Sequence, residues 1–286
     1  MRILKLKNEN NAVVGIVTTV LILGLLISVL SVVQLTFVPQ WVEKEEAEHM
    51  EIVSNQFGHL KSILDFQALM DSNTGFTTYI TLGRNEIPIL EPYRSFGTLK
   101  ILSNQTTMKI DCNNSNTYSF TSDGIQFSSK HSSFVDQTYI IEAGSFILSQ
   151  SDANGVKGSP QIVIPSYDGN ISIIFVNISG VSGRDYIAGL GTYPVFTESI
   201  EIIDYIDYGN VTNLTVYTNY PRAWYHVFNH SFRNKLAASE EGSKGYEITE
   251  KADNVKIEFN DPAGDYYTIS VREVKISVEI AWGLLS

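Results

Sequence analysis

The chain has 286 residues, enough for one large or two small domains with a sizeable core. Its 31 Asp and Glu outnumber its 20 Lys and Arg, for a formal net charge of −11. That balance repels phosphate backbones and anionic headgroups, so nucleic acid is not an expected partner. A single cysteine, Cys112, excludes an internal disulfide.

The run from Asn10 to Val42 holds no Asp, Glu, Lys or Arg. As a helix its apolar core, Ala12 to Val38, is about 40 Å long at roughly 1.5 Å per residue, enough to cross a bilayer with tilt. A secretory h-region is only about 7–15 residues long. No Ala-x-Ala site follows, so a retained span is expected rather than a cleaved signal. Arg2, Lys5 and Lys7 oppose one Glu9 before the run, while Glu43, Glu45, Glu46, Glu48 and Glu51 oppose one Lys44 after it. Positive flanks stay in the cytoplasm, which places the remainder of the chain outside.

Beyond Pro39, which removes one backbone donor, Met50, Val53, Phe57, Leu60 and Leu64 recur at steps of three and four. The stripe has two readings: a face packed onto the protein's own domain, or a self-association face that meets further copies. Asp71-Ser72-Asn73-Thr74-Gly75 reads as the helix stop.

From Phe76 the period drops to two. Strands are expected at Phe76–Leu82, Gly97–Leu102, Thr117–Thr121, Thr138–Ile141, Phe146–Ser149, Gln161–Ile164 and Ile171–Asn177. More follow at Ser199–Tyr208, Val211–Thr218, Val255–Asn260 and Tyr266–Ile280. Asp123-Gly124, Asn154-Gly155, Asp168-Gly169 and Gly209-Asn210 read as turns between strands. In the last strand the apolar parity switches between Val271 and Val274, which asks for a bulge near Arg272-Glu273. One helix interrupts, Arg222 to Arg233 after Pro221, with Trp224, Val227, Phe228 and Phe232 on one face. The expected fold class is α+β, mostly β: a long N-terminal helix, then a β-sandwich-like domain with one short helix.

Seven Asn-x-Ser/Thr sequons stand at Asn104, Asn113, Asn170, Asn177, Asn210, Asn213 and Asn229, where composition alone gives about three or four. They point to a glycosylated exterior. His226 and His230 stand four apart, a spacing able to share a metal, but no Glu follows His226 and no third ligand is near in sequence. Asp204 and Asp207 lack the spacing of a calcium loop. Tyr205, Tyr208, Tyr217, Tyr220, Tyr225, Tyr266 and Tyr267 are either ordinary strand residues or a platform for sugars. The glycines of Gly180 to Gly183 and of Gly189-Leu190-Gly191 read as turns. No nucleophile elbow, phosphate loop or dinucleotide fingerprint is present. No enzyme, cofactor or metal is therefore expected.

Asn11-Ala12-Val13-Val14-Gly15-Ile16-Val17, the long apolar helix and the Glu-rich helix after it resemble the amino-terminal region of archaeal type IV pilin-like, membrane-anchored surface proteins, a set without a defined function. Arg94-Ser95-Phe96-Gly97-Thr98-Leu99 and the Tyr139–Leu148 stretch, strand–Glu–small–Gly–strand, are similar to that family's sheet. The early helix Glu of bacterial-type pilins and the Gln-x-Ser-Pro of mature archaeal pilins are both missing. The resemblance implies a cytoplasmic tail over 1–10, a membrane helix over 11–38, an amphipathic extension over 39–72 and an extracellular β-rich domain over 73–286. Expected partners are membrane lipid and other pilin-like subunits. The alternatives are an anchored module for a sugar, peptide or cation, and an anchored hydrolase.

Overall fold

The computed structural model describes residues 3–70, 73–83, 85–86, 93–94, 96–129, 135–151, 153–164, 170–233, 245–259 and 267–280. The expected turn at Asp168-Gly169, Tyr266, Ser95 and the Asp71-Ser72 half of the helix stop lie outside the described residues.

The chain begins with helix α1 (Ile3–Val32), a short π-helical segment (Val33–Phe37) and helix α2 (Val38–Leu69). Helix starts at Ile3, so most of the stretch expected as a tail is helical. Pro39 has no N–H, and its ring crowds the carbonyl four residues back. The backbone answers with wider turns just ahead of it, and the Val38 N–H reaches the Val33 carbonyl.

Strands follow as β1 (Gly75–Gly83), β2 (Asn85–Glu86), β3 (Tyr93–Arg94), β4 (Gly97–Cys112), β5 (Thr117–Ser129), β6 (Gln137–Glu142), β7 (Ser145–Gln150) and β8 (Ala153–Gly158). Then come β9 (Ile162–Val163), β10 (Asn170–Gly180), β11 (Tyr186–Gly189) and β12 (Gly191–Tyr217). Helix α3 (Pro221–Arg233) precedes β13 (Tyr246–Glu250), β14 (Asn254–Phe259) and β15 (Tyr267–Ile280). Except for the β2–β3 ribbon they form one sheet with main path β8-β7-β6-β5-β4-β12-β15-β10-β9. The fold class is α+β, mostly β, as expected. The sheet folds over so that β10 lies across β5: Ser122 Oγ donates to the Val176 carbonyl at 3.2 Å and accepts from the Ile178 N–H at 2.9 Å. Phe120 and Phe175 meet there with ring centroids 5.7 Å apart.

Two compact units emerge, and the second begins at His49 rather than after residue 72. The reason is the α2 stripe. Met50, Val53, Phe57, Leu60 and Leu64 are all buried in the chain's own core, so the face open to self-association in the sequence is taken by the sheet. Phe57 lies 6.0–6.3 Å from the rings of Phe127, Tyr139 and Phe146. Gln56 grips Thr81 of strand β1 at two points, accepting its N–H at 2.8 Å and donating to its hydroxyl at 2.9 Å. Among the described elements β1 pairs only with β12, so Gln56 satisfies a donor that the ladder leaves unpaired.

A second core forms around α3. Ile140 and Ile147 join it, whereas their neighbours Tyr139 and Phe146 pack on Phe57. Successive strand residues point to opposite faces, so α2 and α3 cover opposite faces of the β6–β7 hairpin.

Three expected turns are not turns between strands. Asp123-Gly124 sits inside β5, opposite a register shift in β4. The Asp123 carboxylate takes over from the broken ladder, accepting the Asn104 N–H at 2.8 Å and the Gly180 N–H at 3.0 Å. A Cβ on Gly124 would stand 2.8 Å from Gln105 Cγ, which is why glycine is needed. Gly209-Asn210 is a bulge that joins two expected strands into the 27-residue β12, with Asn210 at φ 57°. Asn154-Gly155 lies in β8, an edge strand missed by the alternation reading. The parity switch at Arg272-Glu273 is real, but the extra residue belongs to β12, between Ile203 and Ile206; β15 itself stays in register with β10 throughout.

Phe57→Ala in the full chain, held in detergent, should lower the unfolding free energy by about 3–5 kcal/mol. Ile52→Ala, on the exposed face of the same helix, should cost less than about 1 kcal/mol. Denaturant titration followed by circular dichroism separates them, and equal effects would mean that the stripe is not core.

Candidate functional site

Helix α3 starts at Pro221, whose missing N–H costs nothing in a first turn. Just ahead of it, Thr218 Oγ1 accepts the Tyr220 N–H at 3.0 Å. Ala223, Trp224, Val227, Phe228 and Phe232 are buried, and Phe232 meets Tyr246 and Phe259 at 5.5 and 6.2 Å between ring centroids. With one face fixed inward, helical periodicity turns Arg222, His226, Asn229, His230 and Arg233 toward the other.

The helix is pinned by a buried acid that the sequence reading did not single out as a site. Glu142 ends β6 at a two-residue turn, with Ala143 and Gly144 at φ 44° and 79°. Its side chain is fully buried, and Oε1 accepts from Thr218 Oγ1 at 2.6 Å and from Trp224 Nε1 at 2.7 Å. Gln105 and Thr106, from the irregular middle of β4, also bear on the carboxyl. Burial outweighs these donors and raises the Glu142 pKa above its ordinary 4.5. The same burial, with the nearby Glu142 charge, pushes the Tyr220 hydroxyl up to about 12.

Beside α3 lie three depressions of about 550, 620 and 340 Å³, and His226 lines all three; the second and third reach the β7–β8 edge. Their walls hold Arg222, Arg233, His226 and His230 among amides and hydroxyls such as Gln150, Asn154, Asn219 and Asn229. Among the described residues no carboxylate lines them. Arg222 lies over the Tyr225 ring at 5.6 Å and pairs with Glu250 of β13 at 2.9 Å. Lys157 contributes wall, but its ammonium turns away to Ser54 Oγ at 2.7 Å.

The remaining sequence candidates separate. His226 and His230 are exposed, and among the described residues no cluster of three or more His, Cys, Asp or Glu could hold a metal ion. Asp204 faces Arg272 at 3.7 Å, and Asp207 accepts from Ser270 Oγ at 2.5 Å; both serve strand pairing. Cys112 is a buried free thiol, its pKa raised by desolvation and then by Asp111. The tyrosines do not gather into one platform. Tyr220 borders the α3 cleft, Tyr208 packs on Tyr118 at 4.3 Å, and Tyr267 is buried against Phe259 at 4.8 Å. No known family, curated protein or solved structure matches the chain.

Because folding raises the Glu142 pKa, the folded state binds that proton more tightly than the unfolded chain does. The stability linked to Glu142 is complete below pH 4.5 and is lost as pH climbs through the raised value. Glu142→Gln should therefore flatten that part of the pH–stability profile while keeping an acceptor for Trp224. Glu142→Ala should cost about 3 kcal/mol, since it strands buried donors on Trp224 and Thr218. Thermal unfolding of the full chain between pH 4.5 and 8 reads both effects.

Proposed function

We propose that the protein is a single-pass cell-surface protein of pilin-like plan, in which the N-terminal helix stays in the membrane and the β-rich unit is displayed outside in a structural or adhesive role. One observation carries this. The helix is long and apolar enough to cross a membrane, and none of the residues in its apolar window is buried by protein. Leu21 and Leu25 are each 68% exposed. A continuous apolar surface of that extent is not tolerated in water, and a bilayer covers it. The basic flank before it and the acidic flank after it support an outward-facing domain.

Glycosylation belongs to the same proposal. Asn104, Asn113, Asn170 and Asn210 are exposed, while Asn177, Asn213 and Asn229 are half-buried. Asn177 is also committed, its Nδ2 donating to Glu273 Oε1 at 2.6 Å. Glycan is expected on the first four in preference to the others. Association with pilin-like subunits through the N-terminal helix would use the uncharged segment, since the α2 stripe is occupied. Display requires no reaction at the surface, and none is assigned. An anchored binding module is the second reading, favoured by the acid-free cleft beside α3.

Protease applied to intact cells should digest residues 73–286 and spare the membrane helix; full protection of that region would mean the opposite orientation. Mass spectrometry of the protein from native membranes should show an amino terminus at Met1 or Arg2. A chain starting near Asn11 or Ala12 would instead mark cleavage by a prepilin peptidase and make filament assembly the leading role. The same spectra should place added mass on Asn104, Asn113, Asn170 or Asn210.

A further inference from the structure

We propose that the cleft between α3 and the β7–β8 edge binds an anionic saccharide, one whose sugar rings carry carboxylate or sulfate groups. The inference deepens the surface-display reading and rests on the domain facing outward.

The first support is a local reversal of charge. The chain as a whole is at −11, yet this cleft gathers Arg222, Arg233, His226 and His230 and shows no carboxylate among its described lining residues. Glu250 approaches only as the partner of Arg222. Among the described residues Arg233 makes no ion pair; it stands in the last turn of α3, where it and His230 face the negative end of the helix dipole. A helix end that has already been given two basic side chains, on a strongly acidic protein, presents a positive surface to incoming anions. Guanidinium groups match carboxylate and sulfate oxygens in a fork geometry.

The second support is the chemistry of the rest of the wall. Ser149, Gln150, Asn154, Asn219 and Asn229 supply the donors and acceptors that sugar hydroxyls need. Tyr220 borders the cleft, whereas Tyr225 does not line it and carries Arg222 over its ring at 5.6 Å. An aromatic face such as that of Tyr220 suits the apolar side of a sugar ring. The largest depression, about 620 Å³, is of the size that small ligands occupy. An acidic peptide would meet the same charges, but the wall offers little apolar surface for its side chains: among the described residues, Ala153, Val156 and Val227 are the aliphatic ones lining these depressions.

His226 and His230 stand on the exposed face of α3 in this cleft. The charged groups around them are Arg222 and Arg233 on α3, Glu250 on β13 and Lys157 on β8, the last with its ammonium turned toward α2. Asp152, between Ser151 and Ala153, lies outside the described residues.

The test is isothermal calorimetry on the full chain in a nonionic detergent, with trigalacturonate as the probe and maltotriose as its uncharged counterpart. Trigalacturonate should bind, and maltotriose should give no measurable heat. His226→Gln with His230→Gln should weaken binding by removing ring N–H donors, and Arg233→Gln should weaken it about tenfold. All three positions are exposed, so the thermal midpoint should stay at the wild-type value, which separates lost binding from lost folding. Several results overturn the proposal: no heat from trigalacturonate with a folded protein, equal binding of maltotriose, unchanged affinity in the variants, or a hexaglutamate peptide binding more tightly than the saccharide. A glycan found on Asn229, which lines the cleft, also overturns it. Calorimetry on purified protein does not depend on topology, so a failure here leaves the protease result standing, and the reverse holds as well.

Discussion

The β6–β7 hairpin is buried on both faces, and the rest of the second unit is arranged to keep it so. From Tyr139 to Ile147 every residue is buried. A strand pair in the middle of a sheet needs cover above and below, and here two helices far apart in sequence supply it. Phe57 of α2 meets Tyr139 and Phe146 on one side, while Ile140 and Ile147 join the α3 core on the other. The turn between the two strands then has nowhere polar to point. Glu142 stands at that turn, and its Oε1 accepts from Thr218, just before α3, and from Trp224 in its first turn. An apolar requirement and a polar one thus fix the same helix. The aromatic and aliphatic face sets which way α3 looks, and the Glu142 bonds set where it begins.

This double burial also explains what the sequence did and did not reveal. Alternation found most strands because most have one wet face: β15 alternates cleanly on each side of Arg272-Glu273. The helix periods of α2 and α3 were visible for the same reason. In the sequence Glu142 shows only as part of a hairpin pattern. The signal was an acid inside the continuous run Tyr-Ile-Ile-Glu-Ala-Gly-Ser-Phe-Ile-Leu, where the lack of alternation marks a strand buried on both faces. Such a run leaves a carboxylate no solvent to turn to. The α2 stripe was ambiguous for a deeper reason. A heptad face looks the same whether it meets a sheet of the same chain or another helix, and only the tertiary partner decides.

The misread turns share one physical cause. Asp123-Gly124 and Gly209-Asn210 carry the dipeptides that tight turns use, and bulges ask for the same properties: a missing Cβ, or a short polar side chain that accepts positive φ. What separates the two is whether the partner strand continues. Opposite Asp123 it does, and the carboxylate fills in at Asn104, where the β4–β5 ladder shifts, and reaches across to the Gly180 N–H of β10. In β12 it does as well, so one strand passes from β1 and β15 at its start to β14 and β4 at its end. That long bent strand is what lets a single sheet fold over and bring β10 onto β5.

The α3 cleft follows from these constraints. With Trp224, Val227, Phe228 and Phe232 held inward, the helix has no freedom to hide its other face, and a sheet edge stands beside it. The histidines are exposed because the core demands their neighbours. A solvated face of that kind carries charge in any soluble helix, so the presence of charge there means little on its own. Its sign is more informative. Acidic residues outnumber basic ones by 31 to 20 over the chain, and a face with no task should share that bias. Instead the walls beside α3 hold arginine and histidine and, among the described residues, no acid. On the opposite side of β8, the cleft against α2 pairs Lys61 with Asp65 and keeps both signs. The two flanks of one edge strand therefore differ in charge while sharing a scaffold, and recognition of an anion is the function class that such a difference serves.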